Sequence, residues 1–221
     1  MSLGTYASAR VNAGGAKTID YVTELDNGAN LTTYTFTAAD IGVADADRTV
    51  LIMVGGRVAG TTAFTISSVT VGGNPATEVI QATNNAANSN TMGVYAIDVA
   101  AGTTADVVAT FSRTAVRAAI AIYRCTGIST TANSTHIDNN TFSPFTLSVT
   151  ATTGGFAVAG VFVGGTPSTV AFTGAIVSDF NKQIGAETSW WAGGHVAANG
   201  SIDGGGTSTD TTDIVAVAAA W

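Results

Sequence analysis

Charge is what this sequence has least of. Lys and Arg total 8 in 221 residues, and all charged types together make up 10%, far under the roughly 25% of an ordinary globular domain. With a net charge of −7, the chain lacks the basic side chains that hold phosphates, which excludes a nucleic-acid binder and argues equally against an anionic membrane surface. There is one cysteine, Cys125, so no intrachain disulfide forms and packing alone must hold the fold. Lying in the apolar run Ala119 to Thr126, Cys125 reads as a buried core thiol. The longest apolar runs, Phe156 to Gly165 and Ile214 to Trp221, fall short of the ~20 residues of a membrane-spanning helix. Met1-Ser2-Leu3-Gly4-Thr5 has neither the basic start nor the apolar core of a signal peptide. The expectation is a protein made and folded in a cytoplasm, which reaches the outside, if at all, by release within a particle. Disorder is excluded, because 46% of the residues are hydrophobic.

Strand patterns fill the chain. Thr49-Val50-Leu51-Ile52-Met53-Val54 is continuously apolar, as in a central strand buried on both faces. Thr32, Tyr34 and Phe36 alternate with threonines; Tyr95, Ile97 and Val99 alternate with Ala96 and Asp98; Phe145, Leu147 and Val149 alternate with Thr146 and Ser148. Each set puts one face inward. Ala119 to Cys125, Phe156 to Val163 and Ile214 to Trp221 read as further core strands. Phe64 and Ile66 share one parity and Val69 and Val71 the other, which predicts a β-bulge at Ser67-Ser68 that returns all four to one face. Gly72-Gly73 predicts a hairpin tip. Ala101 to Thr104 and Thr153-Gly154-Gly155 predict joins between strands. Ala38 to Ile41 predicts one helical turn. Strand signals about every ten residues indicate an all-β, antiparallel β-sandwich or barrel with little or no helix. Residues 1–17 read as an N-terminal arm and 18–221 as a single β-sandwich domain. Thr83 to Asn90, Ser129 to Ser143 and Asn199 to Thr212 read as long loops.

Candidate chemistry is sparse. His136 and Asp138 lie one residue apart, without the clustered ligands of a metal site. Asp45, Asp47 and Asp203 do not match a calcium loop and, with Asp26, Asp40 and Asp210, read as turn residues that cap backbone. No Gly-x-Ser-x-Gly elbow is present, and nothing pairs Glu78 with Glu187 as a glycosidase requires. The Gly-Gly pairs follow strands without opening helices, so they read as turn devices rather than phosphate cradles. Without a secretion signal, the sequons at Asn30, Asn133, Asn140 and Asn199 carry little meaning. The expectation is no cofactor, no metal and no catalytic residue. The segment Ser189-Trp190-Trp191-Ala192-Gly193-Gly194-His195 stands out. Adjacent strand residues face opposite ways, so one Trp should point inward and one outward. Trp190, Trp191 and His195 are therefore the candidates for contact with a protein partner or a sugar; the competing reading covers both rings with core and loop.

Residues 31 to about 127 have a cadence of their own: Tyr34-Thr35-Phe36-Thr37-Ala38-Ala39-Asp40-Ile41-Gly42, Asp45-Ala46-Asp47-Arg48-Thr49-Val50-Leu51-Ile52, Gly55-Gly56-Arg57, Ile66-Ser67-Ser68-Val69-Thr70-Val71-Gly72-Gly73, Pro75-Ala76-Thr77, and Val99-Ala100-Ala101-Gly102-Thr103-Thr104-Ala105-Asp106-Val107-Val108. This resembles β-sandwich proteins encoded among tailed-bacteriophage structural genes: head decoration, head fibre and tail-associated proteins. The resemblance covers less than half of the chain and brings no functional residue with it. It implies a jelly-roll-like, non-enzymatic, oligomeric virion protein, often a trimer, whose partners are the major capsid or tail proteins of the same particle. Capsid decoration is the first expectation, since the sequence lacks the repeats of a long tail fibre. A carbohydrate-binding or host-adhesion module, with Trp190 or Trp191 against a host surface glycan, is the second. An enzyme such as a polysaccharide depolymerase is a distant third.

Overall fold

The computed structural model describes residues 16–85, 88–139, 143–165, 169–184, 189–209 and 213–221. Most of the predicted N-terminal arm, Glu187, Asn140, Asp210 and parts of the three predicted loops lie outside the described residues. Among the described residues there is no helix. The strands are β1 (Thr18–Asn27), β2 (Leu31–Asp40), β3 (Arg48–Ala59), β4 (Ile66–Val71), β5 (Asn74–Pro75), β6 (Thr77–Asn84), β7 (Asn88–Asp98), β8 (Thr104–Ala115), β9 (Arg117–Thr126), β10 (Ser134–Asp138), β11 (Phe145–Gly164), β12 (Val170–Gly174), β13 (Val177–Gln183), β14 (Ser189–Ser208) and β15 (Ile214–Ala220).

The first nine strands make two sheets, ordered β1-β9-β3-β7-β6 and β2-β8-β4-β5. Strands of the outgoing half lie beside strands of the returning half, β1 and β3 flanking β9 and β2 and β4 flanking β8. That wrapped path is a jelly roll, and it closes within residues 18–126. Between its sheets sits a core that includes Tyr34, Val50, Ile52, Phe64, Val69, Phe111 and Ile120.

Residues 134–220 build the third sheet, ordered β10-β15-β11-β14-β12, with β13 also paired to β14. It packs on the far face of the jelly roll's larger sheet, through a second core of Leu51, Met53, Tyr123, Phe156, Phe162, Trp191, Val215 and Trp221 among others. The middle sheet is thus buried on both faces. This explains the continuous apolar run of β3, and it makes Ala96 as buried as its alternating neighbours Tyr95 and Ile97.

The third sheet folds over on itself. β11 and β14 are each 20 residues long and pair along most of their length. At the middle, Thr152, Thr153 and Gly154 stand opposite the single residue Asn199. Gly154 and Gly200 there have positive φ, 67° and 85°, and the ribbon bends back. The proof lies at Ile176: a Cβ built at Gly194 would lie 3.0 Å from this side chain, and one built at Gly204 3.3 Å from it. Ten residues of straight strand would separate those glycines by ~33 Å. A third core, including Leu147, Val149, Val161, Ile202, Ala216 and Ala218, is sandwiched between the two leaflets. The described residues therefore form a stack of four layers with three cores.

Several sequence expectations are corrected here. Thr153-Gly154-Gly155 does not reverse the chain between two strands; it is the bend inside one strand. Asn199 to Ser208 is strand rather than loop, because it forms the outer leaflet of that ribbon. Ser134–Asp138 is strand too, paired to β15, and Thr83 to Asn90 is the end of one hairpin, with Asn84 paired to Asn90. Ala38 to Asp40 is not a helical turn: it ends β2 in a bulge with Ala38 at φ 50°. The bulge expected at Ser67-Ser68 is present, as the β4–β8 register shifts between Ile66 and Ser68. Phe64, Ile66, Val69 and Val71 all reach one core. The Gly72-Gly73 tip is present as well, with φ of 57° and 79° in a two-residue hairpin turn that such angles suit.

Candidate functional site

The Trp190–His195 segment begins β14, between β11 on one side and β13 on the other. Both faces of this inner leaflet are packed, so alternation sends the two tryptophans into two different cores. Trp191 is completely buried in the core shared with the jelly roll, its ring centroid 4.3 Å from that of Phe180. Its indole N–H is buried without a hydrogen-bond partner among the described residues. The two rings face opposite ways, as alternation requires, but the face that carries Trp190 is partly covered by the third core instead of standing open. Trp190 lies half-buried at the margin of the third core, and its Nε1–H donates to Asn181 Oδ1. The Asn181 amide in turn donates to the Val170 carbonyl.

His195, half-buried, is the polar residue of the segment. Its Nδ1 is 2.7 Å from Asp179 Oδ2, and the Tyr123 hydroxyl donates to the same oxygen at 3.0 Å. The Tyr123 and His195 rings meet edge-on at 6.0 Å. Asp179 reaches them because it is the extra residue of a bulge: Ser178 pairs with Gly194 and Phe180 with Gly193, leaving Asp179 unmatched. Bulges re-aim single side chains in this way. The hydrogen bond to Asp179 raises the His195 pKa above its ordinary value; burial opposes that shift, and the Asp179 and Asp20 charges add to it. Burial first, then the Asp179 charge, push the Tyr123 hydroxyl well above the ordinary tyrosine range.

The surroundings are aromatic and acidic. Tyr21 on β1 contacts Tyr123 at 5.6 Å and stacks on Phe180 at 5.9 Å. Farther along, Lys182 of β13 pairs with Glu24 at 3.4 Å and Asp26 at 3.0 Å, both on β1. The site is therefore a seam, where strands β1 and β9 of the jelly roll meet β13 and β14 of the folded sheet. Sequence reading found His195 and missed Asp179, Tyr123, Tyr21 and Lys182. No local pattern marks these four, since a bulge and the docking of two sheets bring them together.

Asp179 and His195 make the carboxylate–imidazole half of a nucleophilic triad. Among the described residues no serine, threonine or cysteine is hydrogen-bonded to His195, and the second donor on Asp179 is a tyrosine with a raised pKa. The arrangement holds a proton and joins two sheets. Among the described residues no three metal-ligating side chains cluster. Asp138 instead accepts from the backbone N–H and hydroxyl of Thr146. Asp40 and Asp45 cap the backbone N–H groups of Gly42 and Asp47, as turn residues do. Asp26 and Asp203 prove not to be turn residues: Asp26 sits in β1 on Lys182, and Asp203 sits in β14 and accepts from Ser148. Cys125 is a fully buried core thiol, as expected, and burial pushes its pKa up.

A second polar cluster lies at one end of the stack. Arg57 donates to Asn88 at 2.6 Å, Asn88 to Asp213 at 2.9 Å, and Asn90 to the Asp213 carbonyl at 2.6 Å. It ties β3 and β7 to the start of β15. Beside it, Gly28, Asn30, Arg57, Ala59, Val116 and Arg117 line a surface depression of about 380 Å³. No protein-family model matches this chain, and no curated protein matches it significantly in sequence.

Proposed function

We propose that this protein is a non-enzymatic structural component of a tailed-phage virion, a capsid decoration or cement protein assembled in the host cytoplasm as a homo-oligomer. The observation that carries the reading is the character of the two outer faces of the stack. On the jelly-roll side Thr33, Thr35 and Ser68 are exposed, and on the folded leaflet Thr146, Ser148, Thr150, Ser201 and Thr207 are exposed. Broad sheet faces covered by short hydroxyl side chains, with few charges to desolvate, can lie against a neighbour at little electrostatic cost. The motifs of residues 31–127 that resemble virion β-sandwich proteins fall within the jelly roll. The test is mass spectrometry of purified particles with copy number, together with sedimentation of the isolated protein. High copy number and binding to purified capsids are expected. A chain that stays monomeric and binds neither capsids nor tails overturns the reading.

A carbohydrate-binding role is the second reading, and it rests on Trp190, whose ring is only partly covered. Trp191 cannot serve as a platform, because it is fully buried. A glycan array with hits that Trp190→Ala abolishes would favour this reading; an array with none removes it.

A further inference from the structure

We propose that Asp179, His195 and Tyr123 form a protonation-controlled clamp at the seam between the jelly roll and the folded sheet, in which β13 is held fast to β14 while His195 carries its proton and is loosened when the proton leaves.

The geometry is that of a joint. Tyr123 belongs to β9 of the jelly roll, whereas Asp179 and His195 belong to adjacent strands of the folded sheet. One carboxylate oxygen takes both hydrogen bonds, at 2.7 and 3.0 Å, so the two bodies share one acceptor. The Asp179 side chain is 10% exposed and that of His195 27%. The pair is therefore shielded enough to be strong, yet the imidazole exchanges protons with water. Charged and titratable groups come to the site from each neighbouring element: Asp179 and Lys182 from β13, Tyr123 and Cys125 from β9, Asp20, Tyr21, Glu24 and Asp26 from β1. Lys182 is neutralised by Glu24 and Asp26, and Arg124 is turned to Asp20 and Asp45. What remains nearest the imidazole is Asp179, and its charge favours the imidazolium.

A charge-assisted N–H···O bond is roughly twice as strong as a neutral one. The folded-state pKa of His195 is raised, so its contribution is fully present below the unfolded value of about 6.5 and is lost as pH rises through the folded value. Deprotonation leaves a neutral imidazole on Asp179 and weakens the tie of β13 to β14, while the seam itself stays held by the Tyr123 hydroxyl, its apolar contacts and Lys182.

The experiment is amide hydrogen exchange on the full chain from about pH 6 to about pH 9, corrected for intrinsic base catalysis. β13 is read against β3 as internal reference. Opening of β13 is expected to rise several-fold across that range while β3 stays constant. In His195→Gln the step should vanish, with β13 at the open level throughout. Unchanged β13 protection in the wild type, or the same step persisting in His195→Gln, overturns the clamp. A second measurement needs no change in the seam: an NMR titration of the His195 imidazole in His136→Gln. A midpoint above the ordinary histidine value supports the clamp, and one at or below it overturns it.

Discussion

Arg48 shows how this charge-poor chain uses a cation. It is 1% exposed, and its guanidinium donates to backbone carbonyls alone: Val99 at 2.6 Å, Gly42 at 2.6 Å, Gly102 at 2.8 Å, Ala101 at 2.9 Å and Ile41 at 3.5 Å. Two loops that each cross between the two sheets of the jelly roll are thereby tied by one planar fork. Arg48→Met should cost about 2–4 kcal/mol in urea unfolding, because buried carbonyls lose their donors. Arg48→Lys should recover only part of this, since an ammonium offers three donors in place of five. A Lys variant as stable as the wild type would show that charge alone matters there. At Trp191 the cost is of another kind. Truncation to Ala removes a ring packed at a tilt against Phe180, and should destabilise by about 3–5 kcal/mol, measured by the same urea unfolding. The sequence announced Trp191 as notable but not as buried. Burial depended on what covers the second face of its strand, and no neighbour in sequence reports that.

At the scale of elements, bulges do the positioning. The one in β4 was legible, because a change of parity between Ile66 and Val69 in a strand with four apolar anchors has no other economical explanation. This makes a sharp prediction. Deleting Ser67 leaves Phe64, Ile66, Val69 and Val71 on one parity, so a regular ladder can form and stability should fall by only about 1 kcal/mol. Inserting one serine between Ser67 and Ser68 also leaves the four on one parity, but it sets two extra residues against β8, so Val69 and Val71 slip along that strand out of their register, costing about 3 kcal/mol or more. Thermal or urea melts of the two variants decide it; equal effects would refute the parity argument. The bulge at Asp179 left no such trace, since Val177, Ser178, Phe180 and Asn181 are compatible with either register. The bend of the β11–β14 ribbon was half legible. Gly154 marked a break, but whether a break reverses the chain or folds a continuous ribbon depends on which strand it pairs with on either side.

For the whole molecule, the middle sheet is the decisive feature, buried between two others. A fragment ending near residue 128 would contain every strand of the jelly roll, yet it would expose Leu51, Met53, Met92, Val94, Ala121 and Tyr123 to water. We expect that fragment to bind hydrophobic dyes and precipitate, and to be rescued by co-expression with residues 129–221. A soluble, cooperatively unfolding fragment would show that the shared core is dispensable. The all-β class, the antiparallel sheets, the central character of β3, the β4 bulge and the buried thiol were determined by the sequence alone, because strand periodicity, turn glycines and apolar runs are local consequences of backbone geometry. Which faces are covered, how Trp190 and Trp191 part into separate cores, and how Tyr123, Asp179 and His195 meet were decided only by tertiary structure. Those contacts join residues as far apart in the chain as Tyr21 and Phe180, and they follow from sheet stacking and from the fold-over of one ribbon, neither of which is written in any single strand.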